Sequence, residues 1–144
     1  MIIGKIENGI VLDHIKAGAG MKLYKILGLD SLDCQVALIK NAESQKLGRK
    51  DIIKIDRIID VNLDAIGYID AGITVNIIEN GKLAKRTHIE PPEEITDVIK
   101  CKNPRCITNH EPVKDVHFYL VDESEKIYRC EYCEAYTKFK PEEN

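Results

Sequence analysis

The sequence predicts an α+β protein in two unequal parts, a layered strand-and-helix domain followed by a small all-β domain. Three observations carry this. Extended and helical patterns alternate up to about residue 90 in the order strand, helix, strand, strand, helix, strand. Pro91-Pro92-Glu93-Glu94 then interrupts the pattern, and all five prolines lie beyond residue 90. Paired prolines restrict the backbone and cannot continue a central strand, so this stretch reads as a hinge between parts. After it come four cysteines in two close pairs.

In chain order, residues 2–6 form a short apolar stretch before Asn8-Gly9, and residues 10–15 form a second extended run. The two are expected to pair around that turn. Residues 17–28 change period and read as a helix, with Gly28 as its stop. Residues 34–39 are a strand, 42–48 a polar loop and 49–56 a strand. A second helix opens at Asn62-Leu63-Asp64, with a capping side chain available, and runs to about Ile69. Asp70-Ala71-Gly72 is a turn, residues 73–78 a strand, and Asn80-Gly81 a hairpin signal before Lys82-Leu83-Ala84. The β-α-β-β-α-β order is that of a ferredoxin-like sandwich, with helices on one face of the sheet and a hairpin added at each end. Such a fold hosts many functions and decides none.

The second part is organised by Cys101-x4-Cys106, then 23 intervening residues, then Cys130-x2-Cys133. Each pair brackets a tight turn that can aim two thiolates at one point, which suits a closed tetrahedral metal site. Soft sulfur ligands favour zinc or iron, and redox-inert zinc is the usual structural choice. Two disulfides or unrelated buried thiols are the alternatives. A unit of about 50 residues is short for a self-sufficient apolar core, so a bound metal would complete its fold. The division expected is residues 1–92 and 93–144.

The 144 residues carry 31% charged and 44% hydrophobic side chains and a net charge of -3. These are ordinary values for a soluble globular protein and give no electrostatic reason for a nucleic-acid or membrane partner. No apolar run reaches the roughly 20 residues that a membrane helix needs. Met1-Ile2-Ile3-Gly4-Lys5 lacks a signal-peptide layout, so the cytoplasm is the expected compartment. Without tryptophan, and with two phenylalanines, the larger core must be built from isoleucine, leucine and valine. Cys34 stands apart from the cysteine cluster and reads as a structural thiol.

Few polar residues invite chemistry. Asp13-His14 ends an apolar strand, where the pair could bind ribose and phosphate or simply face solvent. Lys50 and Lys54, four apart in one strand, share a face. They could form an anion site, or protect an edge strand from pairing. Lys85-Arg86-Thr87-His88 is a short basic cluster. Neither Gly48-Arg49-Lys50-Asp51 nor Ala17-Gly18-Ala19-Gly20 has the spacing of a phosphate loop.

Four segments together carry a resemblance. They are residues 9–15 (Gly9-Ile10-Val11-Leu12-Asp13-His14-Ile15), residues 48–55 (Gly48-Arg49-Lys50-Asp51-Ile52-Ile53-Lys54-Ile55), Thr74-Val75-Asn76, and the four-cysteine pattern. In this order they resemble the aspartate carbamoyltransferase regulatory chain over essentially the whole length. The resemblance implies an allosteric, non-catalytic subunit of an enzyme of pyrimidine biosynthesis. Its first domain would bind CTP, ATP or UTP and pair with a second regulatory chain. Its zinc domain, with one structural ion held by Cys101, Cys106, Cys130 and Cys133, would dock on a separate catalytic chain. The whole would be a dodecamer of six catalytic and six regulatory chains. Effector-phosphate and ribose contacts then fall to Asp13, His14, Lys50, Lys54 and Arg86, and base and sugar contacts to Ile3, Ile6, Asn76, Ile78 and Leu83. Arg86 replaces a common lysine, and Gly81 stands where relatives often place a tyrosine beside the base. Docking positions match Asn103, Tyr132 and Glu134, with Arg105 replacing an asparagine.

Two other classes are disfavoured. A nucleic-acid-binding zinc ribbon would want a basic face, yet residues 101–144 hold 7 Lys and Arg against 9 Asp and Glu. A free-standing enzyme using Asp13-His14 would need a nucleophile or an open metal position that the sequence does not offer.

Overall fold

In the computed structural model, which describes residues 6–139, the chain forms two antiparallel sheets. The first is built from β1 (Gly9–Lys16), β2 (Val36–Ser44), β3 (Gly48–Ile55), β4 (Thr74–Glu79) and β5 (Lys82–His88), in the spatial order β2-β3-β1-β4-β5. Helices α1 (Gly20–Ile26) and α2 (Leu63–Ile69) supply the two crossovers. The first four strands with their helices are the expected β-α-β-β-α-β sandwich, and β5 is the added hairpin arm.

Alternation along the strands sorts the two sheet faces. Ile10, Leu12, Ile53, Ile55 and Val75 are buried and share one core with Leu23 and Ile66 of the helices. Each such side chain contributes about 1.5–3 kcal/mol by leaving water. The Asn62 side chain accepts a hydrogen bond from the Ala65 N–H and so caps α2, worth about 1 kcal/mol. Gly28, at φ 66°, ends α1 in the left-handed region. Asn80 and Gly81, at φ 53° and 75°, make the two-residue turn between β4 and β5.

Several expectations are corrected. β1 pairs with β3 on one side and β4 on the other, so no edge remains for the hairpin expected around Asn8-Gly9. Its first arm, residues 2–6, lies outside the described residues except for Ile6. The polar stretch 42–48 is largely strand: Ala42, Glu43 and Ser44 pair with Lys50, Arg49 and Gly48, past an irregularity after Ile39. Polar side chains are tolerated there because β2 is an edge strand. The first helix begins at Gly20 rather than Ala17. β3 is an interior strand, so Lys50 and Lys54 do not guard an edge.

The second sheet is all β, in the order β6 (Glu94–Thr96), β7 (His117–Asp122), β8 (Ile127–Cys130), β9 (Tyr136–Thr137). Ile95, Phe118 and Tyr128 are buried and pack into one cluster with Ile66, Tyr68 and Ile69 of α2. Tyr68 meets Tyr128 and Phe139 edge-on at 5.4 and 5.8 Å between centroids. The Tyr128 hydroxyl donates to the Pro92 carbonyl at 2.7 Å, and burial pushes its pKa up to about 12, so it stays a donor. Gly67 is required in α2 because a Cβ there would strike the Glu90 carbonyl.

Candidate functional site

The face of the first sheet away from the helices gathers most of the candidate binding residues. Lys54 stands opposite Val11, Val11 opposite Asn76, and Asn76 opposite Arg86, a single row across β3, β1, β4 and β5. With strands about 4.8 Å apart, Lys54 and Arg86 are separated by roughly 14 Å of sheet, a gap that two long side chains can lean across. Beside this row, Ile78 faces Gly9 on one side and Leu83 on the other. Leu83 is about half exposed, an apolar side chain open to a ligand. Ile6 is half-buried and packs close to Gly9, where a Cβ would come within 2.8 Å of its Cγ2. Ile3 lies outside the described residues.

On the other side of the row, Asp13 stands opposite Thr74. The β1–β3 register slips between Leu12 and Ile15, and His14 takes φ 61° there. That bulge keeps Asp13 and His14 off the core, while Ile15 returns to it fully buried. Lys50 Nζ lies 2.9 Å from Asp13 Oδ1, which also accepts from the His14 N–H at 2.6 Å. Burial works against the Asp13 carboxylate, but the Lys50 bond, the His14 N–H and nearby positive charge outweigh it. Its pKa is therefore lowered. His14 Nδ1 lies 3.1 Å from the Thr74 hydroxyl. Arg86 Nε donates to Asn76 Oδ1 at 2.8 Å, and the Asn76 amide donates to the Val11 carbonyl at 3.4 Å. Asn76 is buried, so it fixes the guanidinium while leaving its other N–H groups for an anion.

One residue important here was not singled out by the sequence reading. Asp51, next to Lys50, points to the helix side and is fully buried. Its carboxylate accepts the backbone N–H groups of Gly18 (3.1 Å), Gly20 (2.9 Å) and Asn41 (3.0 Å). It fastens the β1–α1 turn and the β2 irregularity behind the open face. An acid alternating with lysines in an apolar strand was the available signal, since solvent-facing charge would not change sides.

The four cysteines converge as their spacing implied. Their sulfurs lie within 4.8 Å of one another, with Cys101–Cys133 at 3.5 Å and Cys106–Cys130 at 3.8 Å. A tetrahedron of thiolates around zinc has edges of about 3.8 Å, from metal–sulfur bonds of about 2.3 Å. The donor set therefore fits such an ion, and all four cysteines are free rather than paired as disulfides. Cys101 and Cys106 flank the turn after β6, Cys130 ends β8, and Cys133 closes the knuckle before β9. Burial raises the Cys101 thiol to about 12 and also raises Cys130. At Cys133 burial is outweighed by the Ala135 N–H, the Asn103 side chain and its neighbouring thiols, which lower it to about 7. A divalent cation must therefore displace protons to occupy the centre. Around it, Tyr132 is nearly half exposed, Glu134 is exposed at φ 64°, and Asn103 accepts the Arg105 N–H at 3.1 Å. Cys34 is half-buried against the first core.

Comparison with known proteins agrees with this geometry. Residues 1–90 match the family model for the aspartate carbamoyltransferase regulatory chain, allosteric domain. Residues 93–142 match that for the same chain's metal binding domain. An aspartate carbamoyltransferase regulatory chain from Clostridium botulinum is 52% identical over 134 residues, covering 93% of this chain and 92% of that one. One from Clostridium acetobutylicum is 46% identical over 96% and 94%, and one from Bifidobacterium longum 40% identical over 96% and 99%.

Proposed function

This chain belongs to the aspartate carbamoyltransferase regulatory chain family, and on that premise we propose that residues 1–92 bind nucleoside triphosphates while residues 93–144 hold zinc and dock on the catalytic chain. As a regulatory chain with an allosteric domain and a metal-binding domain, it is a non-catalytic subunit of an enzyme of pyrimidine synthesis.

The row from Lys54 through Asn76 to Arg86, with Lys50, Asp13 and His14 beside it, is the observation that carries the effector site. Lys50, Lys54 and Arg86 take the triphosphate through charge-assisted hydrogen bonds. Asp13 and His14 take ribose or phosphate. Ile3, Ile6, Ile78 and Leu83 line the base and sugar, with the buried Asn76 between sugar and guanidinium. The Lys50 ammonium has three N–H donors, so it can keep Asp13 and still reach a phosphate oxygen, and Asp13 thereby holds Lys50 at the end of β1. Gly81 sits at φ 75° in the β4–β5 turn, where an L side chain would be strained. CTP, ATP and UTP are the effectors that this site suits. A ligand shifts the enzyme only as far as it binds two states unequally.

Cys101, Cys106, Cys130 and Cys133 hold the ion, which supplies structure to the second sheet and no chemistry. The surface around Tyr132, Glu134, Asn103 and Arg105 meets the catalytic chain. Two regulatory chains pair through their first domains within a dodecamer of six catalytic and six regulatory chains, in the cytoplasm. Mixing the chain with its catalytic partner and titrating CTP, ATP and UTP against aspartate saturation tests the reading. An unmoved saturation curve with all three would overturn it.

A further inference from the structure

The short 3-10 turn Ile107–Asn109 follows Cys106 directly, and it carries two side chains that reach back to the metal loop. Thr108 Oγ1 lies 3.0 Å from Cys106 Sγ. Asn109 Nδ2 donates both to the Cys101 carbonyl at 2.9 Å and to the Asn103 carbonyl at 2.7 Å. These two carbonyls fix which way the amide faces, since its oxygen there would meet two other oxygens. One amide thus fastens the start of the Cys101–Cys106 loop to the turn just past its end. The four-residue spacing makes this loop wider than the Cys130–Cys133 knuckle, so it has more freedom to lose. Asn109 Oδ1 is meanwhile enclosed without a hydrogen-bond partner among the described residues, so the residue tolerates a cost in order to donate twice.

We propose that Thr108 and Asn109 control how tightly the metal is retained, an inference that rests on the four cysteines being a metal centre. Four thiolates around a divalent ion leave a net charge of about minus two, which donors to sulfur disperse. Cys101, Cys130 and Cys133 draw on backbone N–H groups for this. At Cys106 a side-chain hydroxyl contributes, and so the sequence can tune it. Thr108 therefore acts on the sulfur electronically, while Asn109 acts on the loop's closure. Losing such outer hydrogen bonds typically costs about 10–100-fold in metal affinity.

The test uses the full chain as wild type, Thr108→Val, Thr108→Ser, Asn109→Ala and Asn109→Asp. Elemental zinc is measured first. Release is then timed into the coloured chelator 4-(2-pyridylazo)resorcinol, and the thiolate-to-metal absorption is recorded after cobalt(II) substitution. The expectation is release about 10-fold faster for Thr108→Val and Asn109→Ala, and faster still for Asn109→Asp, whose carboxylate would oppose the two carbonyls. Thr108→Ser should behave as wild type. Thr108→Val alone should move the cobalt band to lower energy, because a sulfur stripped of a donor gives up charge more readily. Wild-type release rates in both Thr108→Val and Asn109→Ala, with an unmoved band, would overturn the inference. A metal-free wild type would instead overturn the metal centre itself.

Discussion

Asn76 and Arg86 stand directly opposite each other on β4 and β5, and the Arg86 Nε–H is bound to Asn76 Oδ1 at 2.8 Å. The buried amide holds the guanidinium in one orientation over the open face, so Arg86 is a positioned cation rather than a waving one. A lysine at this place would offer no planar fork for Asn76 to align.

Binding should therefore depend on the basic row and be separable from assembly. Lys50→Ala, Lys54→Ala or Arg86→Ala should each weaken CTP binding by roughly 1.5–3 kcal/mol, the scale of hydrogen bonds to charged groups. Calorimetric titration measures this. Sedimentation with the catalytic chain should be unaltered in all three. Normal CTP binding in both lysine variants would show the site to be elsewhere.

Acid should dissolve the Asp13–Lys50 link. The folded pKa of Asp13 is lowered, so its contribution is present above the unfolded value of about 4 and is lost as pH falls through the folded value. Asp13→Asn should be less stable than wild type at pH 7, by about 1 kcal/mol for a partly exposed pair. Urea unfolding at descending pH should find that gap closing below about pH 4. A gap independent of pH would mean that the carboxylate charge is irrelevant there.

Asp51→Asn should be more damaging than any change on the open face. Asn offers one acceptor where the carboxylate offers two, and its amide hydrogens would confront N–H groups of Gly18, Gly20 or Asn41. A loss of about 3 kcal/mol is expected from buried donors left unsatisfied. Thermal unfolding gives the number, and a loss below about 0.5 kcal/mol would rule out the clamp, being no more than an ordinary surface substitution costs.

Removing the metal should split the two parts unequally. Cys133→Ser or chelation should dissolve the second sheet and its docking on the catalytic chain, while the first sheet keeps β1–β5 and binds CTP. Amide exchange should report lost protection in residues 94–137 and retained protection in β1, β3 and β4. Uniform loss along the chain would contradict separable folding. Tyr128→Phe, which deletes the bond to Pro92 but leaves the ring, should cost about 1 kcal/mol.

Much of this was legible in the sequence because local rules and the fold agree. Strand and helix order, the Asn62 cap, the Gly28 stop and the Asn80-Gly81 turn all follow from side chains acting within a few residues. The four cysteines converged because two short turns suffice to aim them. Other features depend on partners far along the chain. Lys50 and Lys54 read equally well as edge protection until β1 is placed beside β3, and the bond between Arg86 and Asn76 exists only once β4 and β5 are in register. The Asn8-Gly9 turn misled for the same reason: a local hairpin signal lost to two long-range pairings of β1. Asp51 reads as one more charge in Arg49-Lys50-Asp51 until the Gly18 and Asn41 backbones close around it.

Gly67 has a consequence for how the two parts can move. With no side chain at that position, the backbone of Glu90 and the ring of Pro92 lie directly on α2, and the Pro92 carbonyl is itself held by Tyr128. The connecting segment is therefore a splint laid along the helix rather than a slack tether. Separating the two sheets would have to break the Tyr128–Pro92 hydrogen bond and open the Tyr68–Tyr128 and Tyr68–Phe139 ring contacts together. Any displacement of α2 would therefore bear directly on the second sheet through these contacts.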